Sequence, residues 1–171
     1  MDWRLRRATP ADIAALSLVA GATFLEAFAG ILDGADIVAH VTRNSSPDAF
    51  ARYMGQGAIA NLAEAEAGAA PLGYTLLTAP DLPVAPKPGD IELKRIYALF
   101  PTHGTGLGPA LMAQAIADAQ EAGHRRLLLG VYGGNRRAQR FYEKQGFTVA
   151  GTRRFLVGAT WHDDLIYARS L

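Results

Sequence analysis

The hydrophobic positions of this chain follow two periods. Residues 3–7, 58–66, 72–79, 91–99, 147–156 and 161–169 read as strands, and Leu127 to Val131 is an unbroken apolar run of the kind a buried central strand carries. Ile13, Leu16, Val19 or Ala20, Phe24, Ala27 and Phe28 recur instead at helical spacing. That helix has a start signal: Thr9 as N-cap, Pro10 at the first position and Asp12 near the positive end of the dipole. Gly30 and Gly34 break it. Shorter helices are predicted over 35–43 and 47–55, the second capped by Ser46 with Pro47 behind it. A longer one runs from Gly106 to Ala122, with Leu107, Leu111, Ala115 and Ala119 on one face and Gly123 just past its end. Asn135 caps a short helix that stops at Gly146.

The strands 58–66 and 72–79 are joined by a turn over Gly68 to Pro71, which predicts a hairpin. Pro80 to Gly89 holds four prolines, so it is a loop and the candidate flexible flap. The element order is then a strand, helices, three strands, a helix, a strand, a helix and two strands. This predicts a mixed sheet with helices on its faces. One crossover helix links strands 91–99 and 127–131.

The chain has 171 residues, half of them apolar, which suits one domain over 1–171. It has no cysteine, which excludes disulfides, thiolate zinc sites and a cysteine nucleophile and is compatible with the cytoplasm. Asp12, Glu26, Asp33 and Asp36 interrupt the apolar N-terminal region, so no membrane span is expected. Basic residues do not interleave with aromatics and the net charge is +1, so nucleic acid is not an expected partner. His40, His124 and His162 lack ligand spacing, so no metal is expected. The charge is uneven. Residues 1–90 carry six Lys/Arg against ten Asp/Glu, and residues 124–171 carry nine against three. A basic C-terminal third suits a polyanionic ligand, and an acidic N-terminal half suits an amine; an unevenly charged solvated surface is the plainer reading.

The candidate chemistry begins at His103-Gly104-Thr105-Gly106-Leu107-Gly108, between a strand and a helix. Glycines let backbone and ligand approach closely, and amides at a helix N-terminus favour phosphate oxygens. No Gly-Lys-Ser/Thr follows, so this is not a P-loop, and no acidic residue ends the next strand as a dinucleotide site requires. By itself the glycine pattern fits a plain tight turn as well as a phosphate site.

Two motifs together carry a resemblance. His103-x-x-Gly106-x-Gly108 after the strand Leu93 to Leu99, followed by Asn135-x-x-Ala138-x-x-Phe141-Tyr142-Glu143-Lys144-x-Gly146-Phe147, resembles motifs A and B of the GNAT superfamily of N-acetyltransferases. Arg6-x-Ala8-Thr9-Pro10-Ala11-Asp12 extends the likeness to the N-terminus. Ala22-Thr23-Phe24-x-Glu26-x-Phe28, Phe155 to Gly158 and Asp164-Leu165-Ile166 resemble most a bacterial branch linked with polyamine acetylation. The resemblance implies an α/β (α+β) fold with a mixed, mostly antiparallel seven-stranded sheet and about four flanking helices. It implies direct acetyl transfer from acetyl-CoA to a primary amine of a small molecule, such as a polyamine, or of a peptide. A CoA-binding sensor or interaction module with weak turnover is the second reading, and a nucleotide-binding regulatory domain, which would require ATP or NAD to compete with CoA, is the third.

Site roles follow from the same resemblance. His103, Gly104, Thr105, Gly106, Leu107 and Gly108 would hold the pyrophosphate, and Asn135 and Ala138 would contact the cofactor from the second motif. Ile96, Tyr97 and Ala98 would offer backbone groups to the pantetheine amides and the acetyl carbonyl. Tyr142 would protonate the leaving thiolate; a packing tyrosine beside Phe141 is the other reading. Glu92, sixteen positions before Gly108, is the candidate general base. A surface glutamate paired with Lys94 or Arg95 is the alternative. Glu26, Asp163 and Tyr97 are further candidates for that role. Phe24, Glu26 and Phe28 lie on the helix that would cover the acceptor. The family places Arg or Gln where His103 stands, which predicts weaker or pH-sensitive CoA binding. The closing hairpin, with Phe155, Val157, Trp161 and Tyr167, fits a homodimer interface as well as a core.

Overall fold

A computed structural model describes residues Met1–Leu171. Seven strands form one sheet: β1 (Trp3–Arg7), β2 (Ile59–Ala65), β3 (Pro71–Thr78), β4 (Asp90–Ala98), β5 (Arg126–Tyr132), β6 (Thr148–Val157) and β7 (Thr160–Ser170). Their order is β1-β2-β3-β4-β5-β7-β6, antiparallel everywhere except between β4 and β5. The helices are α1 (Ile13–Phe28), α2 (Gly34–Asn44), α3 (Pro47–Gly55), α4 (Leu107–Glu121) and α5 (Arg136–Lys144), five where about four were expected.

The local signals act as their chemistry requires. Ser46 Oγ accepts from Ala49 N–H at 3.2 Å and Asn135 Oδ1 from Ala138 N–H at 3.0 Å, caps that each contribute about 1 kcal/mol. Gly123, at φ +83°, closes α4. The Thr9 signal opens a 3-10 turn, Pro10–Asp12, before α1 begins. Asp12 accepts from Thr9 N–H and takes both arms of Arg6, which also reaches Glu64. This network ties β1 and β2 to the start of α1.

Pro10–Phe28 spans 19 residues at mean hydropathy 1.5, long and apolar enough to cross a membrane by length and composition. The sequence reading missed this because the two acids in the run lie near its ends. In the fold, Leu16, Val19 and Ala20 pack with Phe50, Leu62, Tyr74 and Leu76, so the apolarity of α1 serves a core. On the opposite sheet face, Met112, Ala115 and Ala119 of α4 join Leu93, Leu127 and Leu129.

Two irregularities of β4 position the site. It pairs with β5 only over Asp90, Ile91 and Glu92; beyond that β5 keeps its partner β7 through Tyr132 and β4 keeps β3 through Ala98. The strands therefore part. Within β4, Leu76 faces Arg95 but Leu77 faces Leu93, so Lys94 is the extra residue of a bulge.

The Pro80–Gly89 segment is pinned at four points, contrary to its reading as a flexible flap. Asp81 N–H donates to Glu92, Lys87 N–H to Asp90, and Arg126 to Ala85 O, while Val84 packs over Gly151. In the closing hairpin Val157 and Tyr167 are buried, whereas Trp161 is 53% exposed.

Candidate active site

The glycine loop presents unpaired amides. Gly104 and Gly106 adopt φ +86° and +88°, conformations that side chains resist, and a Cβ at either would meet open space. The N–H groups of Gly104, Gly106, Leu107 and Gly108 donate to nothing within the protein, and no side chain caps α4. These four amides meet the positive end of a 15-residue helix, the arrangement that holds phosphate oxygens. The loop is fixed from behind: Trp3 Nε1 donates to Thr105 Oγ1, which itself donates to Thr102 O.

Two expected contributors are otherwise engaged. Thr105 N–H closes a turn onto Thr102 O, so it is not one of the free amides. His103 Nε2 lies 3.2 Å from Ala98 O, and since a carbonyl only accepts, the imidazole spends its Nε2 proton there. Partial burial and the nearby Arg137 hold the His103 pKa below the usual imidazole value. The ring is a neutral strut between the loop and β4. Arg137, which the sequence reading did not single out, lies close enough to the loop to act on His103. It is exposed, makes no ion pair and adds positive potential at the loop. A solvent-facing arginine on α5 gives no sequence signal of this.

The parted strands come next. Ile96, Tyr97 and Ala98 pair with β3 on one side and have no strand partner on the other. Tyr142 packs against Phe141, Phe147 and Tyr167 in the cluster that contains Leu93 of β4 and Val131 of β5. Burial alone raises its pKa, and no hydrogen bond to its oxygen contributes. Its phenol lies near enough to that of Tyr97 to raise the latter further. A phenol so placed keeps its proton at neutral pH and has it free to give. Asn135 and Ala138 are bound to each other by the α5 cap, so the Ala138 amide is committed.

On the α1 side of β4 lies a cleft of about 500 Å³. Its apolar wall includes Phe24, Phe28, Tyr132, Phe155 and Val157. Its polar side holds Glu92, Lys94, Arg95 and Tyr97, which the Lys94 bulge brings onto one face. Glu92 is 2% exposed, its Oε2 accepts from Asp81 N–H at 2.7 Å, and its Oε1 is 3.8 Å from Lys94 Nζ. It is a cleft residue rather than a solvated surface glutamate. Of the other base candidates, Glu26 accepts from Phe100 N–H and so braces the segment before the glycine loop. Asp163 is exposed and does not line the cleft; its neighbour Asp164 does. Burial raises the Asp164 pKa although Arg153 lies 3.2 Å away. Arg153 reaches there because Gly130 leaves room: a Cβ at that position would sit 2.5 Å from its guanidinium.

His40 was set aside in the sequence and closes this cleft. It stacks on Phe24 at 4.5 Å, meets Phe155 edge-on, and is driven down to about 4 by burial and by the charge of Arg95. α2, which carries His40, is anchored at the β6–β7 turn, where Asp36 accepts from Ala159 N–H at 2.8 Å and from the Thr160 hydroxyl. Gly158 is required there, since a Cβ would strike Asp36.

A row of free amides at a helix start, beside parallel strands that separate over a polar cleft, defines a protein that seats a phosphorylated chain end-on against a second substrate. Comparison with known proteins agrees. Residues 33–147 match the family model described as "Acetyltransferase (GNAT) family". Uncharacterised N-acetyltransferases of Mycobacterium tuberculosis and Mycobacterium bovis are 37% identical over 160 residues, 94% of this chain and 98% of each relative. The crystal structure of PaiA N-acetyltransferase from Thermoplasma acidophilum in complex with coenzyme A shares the fold at TM-score 0.79 and 19% identity, covering 100% of both chains. The chain belongs to the GNAT family and is an acetyl-CoA-dependent N-acetyltransferase.

Proposed function

We propose that this enzyme acetylates a primary amine of a small molecule or a peptide, with the amine seated in the cleft and the coenzyme in the glycine loop. The observation that carries the reading is the coincidence of four unpaired amides at Gly104, Gly106, Leu107 and Gly108 with the parting of β4 from β5. The loop fits a diphosphate, because the space a Cβ would take at Gly104 and Gly106 is open and Arg137 brings a positive charge near it. Acetyl-CoA supplies the activated acetyl group.

The residues of the chain have separable tasks. The amides of the loop and Arg137 hold phosphate oxygens. The unpaired edge of Ile96 and Tyr97 orients the thioester arm and polarises its carbonyl. The Glu92 carboxylate, directly or through one water, accepts the proton that the amine nitrogen loses as its bond to the acetyl carbon forms. As the carbon–sulfur bond breaks, the Tyr142 hydroxyl gives its proton to the sulfur and recovers one from solvent. Tyr142 suits this task because it carries its proton at neutral pH and its hydroxyl makes no bond within the protein; burial raises its pKa, so the transfer depends on the sulfur gaining full thiolate charge in the same dry site.

A polyamine acceptor draws little support from the cleft: its two buried acids are each already paired, Glu92 with Lys94 and Asp81 N–H and Asp164 with Arg153, which leaves the exposed Asp81 as its one unpaired carboxylate. The test is an acetyl-CoA turnover screen over polyamines, amino acids, peptides and aryl amines, run beside a CoA titration. Turnover with at least one amine is expected. CoA uptake with no turnover on any amine would favour a sensor, and absence of uptake would overturn the reading of the loop.

A further inference from the structure

We infer that the acceptor carries a carboxylate close to its amine and an apolar body, and that Arg95 is the residue that reads the carboxylate. The inference rests on the acetyltransferase reading above and narrows its acceptor. Arg95 lies on β4, three residues from Glu92, and lines the cleft. No carboxylate of the protein pairs with it. Its Nη2 donates to Asn44 O at 2.8 Å and to the Tyr53 hydroxyl at 3.3 Å, and its plane rests over the rings of Phe50 and Tyr53. These contacts fix the guanidinium without neutralising it. Its Nη1 is buried and has no acceptor.

A charged group held in place and left unpaired beside a cleft is costly unless an anion completes it. A guanidinium fork is matched in shape and charge by a carboxylate. The protein's own acids do not serve: Glu92 and Asp164 are held by other partners, and the exposed Asp81 makes no ion pair with Arg95. A second buried nitrogen without a partner, Nε2 of His162, belongs to the same cleft. The wall of Phe24, Phe28, Phe155 and Val157, with the ring of Tyr132, gives no carboxylate to a chain of ammonium centres and instead fits an apolar substituent. An amino-acid-like acceptor satisfies both sides, with its amine beside Glu92 and its carboxylate at Arg95.

Matched acceptor pairs test this: phenylalanine against 2-phenylethylamine and lysine against cadaverine, at saturating acetyl-CoA. The chain has no cysteine, so a thiol reagent reports released CoA alone. The wild-type enzyme is expected to favour the carboxylate-bearing member of the phenylalanine pair by about tenfold or more in kcat/KM, as for a charge-assisted hydrogen bond in a desolvated site. Arg95→Gln should bring the ratio of kcat/KM between phenylalanine and 2-phenylethylamine to about one, by a rise in KM for phenylalanine that exceeds any change for 2-phenylethylamine, and Arg95→Lys should retain part of the preference. Wild-type turnover that is equal or faster with the decarboxylated amines overturns the inference and leaves the transferase intact. An equal loss on both members in Arg95→Gln also overturns it. Should that variant not fold, as judged by CoA titration, the wild-type pairs alone decide. No turnover on any amine by enzyme that binds CoA removes the transferase reading and this one with it.

Discussion

The two halves of the site are built from different materials. The proposed cofactor side is made mostly of backbone: a glycine turn, a helix start and a strand edge between residues 96 and 108, with the side chains of Arg137 and Tyr142 added from α5. The acceptor side is made of side chains from α1, α2, β4, β5, β6 and β7, brought together across the whole chain. A backbone cradle requires only that no Cβ or hydrogen bond occupy it, so its rules are local. A side-chain cleft requires that strands agree in register and face, and its rules are global.

Substitutions can separate the halves. The largest effect should come from Tyr142→Phe, with kcat falling by about a hundredfold or more, the loss typical of a missing general acid. Its CoA affinity by titration should match wild type; equal loss of both would make Tyr142 a packing residue. Next is the acceptor wall at low pH. His40 is neutral in the fold and titrates at about 4, against 6.5 when unfolded. Its contribution to stability is complete above pH 6.5 and drains as the pH falls towards 4, by about 3 kcal/mol. Urea unfolding of wild type and His40→Phe at pH 7 and pH 4.5 should show a smaller drop in the variant. An identical drop would place the acid sensitivity elsewhere.

Glu92→Gln should lower kcat/KM for the acceptor by about a hundredfold at pH 7, with a shrinking deficit as rising pH supplies free amine. A pH-independent deficit would make Glu92 a brace for the Asp81 loop instead. Gly106→Val should weaken CoA binding by about tenfold, the cost of a left-handed conformation for a branched residue, without altering preference among acceptors. The smallest effect belongs to Arg137→Ala. CoA affinity should fall about threefold at low salt and less at high salt, as for an exposed cation near phosphate.

Much of the fold was legible. All seven strands were read within a residue or two, and Ser46, Asn135 and Gly123 cap the helices they were assigned to, because caps and strand periods are short-range. The motif residues of the glycine loop fall where expected, but not with equal roles. Thr105 N–H and the His103 imidazole are consumed by Thr102 O and Ala98 O. Nothing in a linear pattern tells a free donor from a spent one. The base candidates show the same limit. Glu92 faces the cleft together with Arg95 and Tyr97 only because Lys94 is a bulge, and strict alternation would have divided them between two faces. Asp163 and Asp164 differ by one residue, and the register of β7 chose the second.

The sequence alone determined the order of the elements, the ends of the helices and the position of the glycine turn ahead of α4, since each depends on residues within a turn of one another. Tertiary structure decided that β4 and β5 part after Glu92, that a guanidinium at Arg95 stands unpaired in a half-apolar cleft, and that His40 stays neutral. Those outcomes depend on which distant atoms fill, or fail to fill, the space around a group, and no spacing along the chain encodes that.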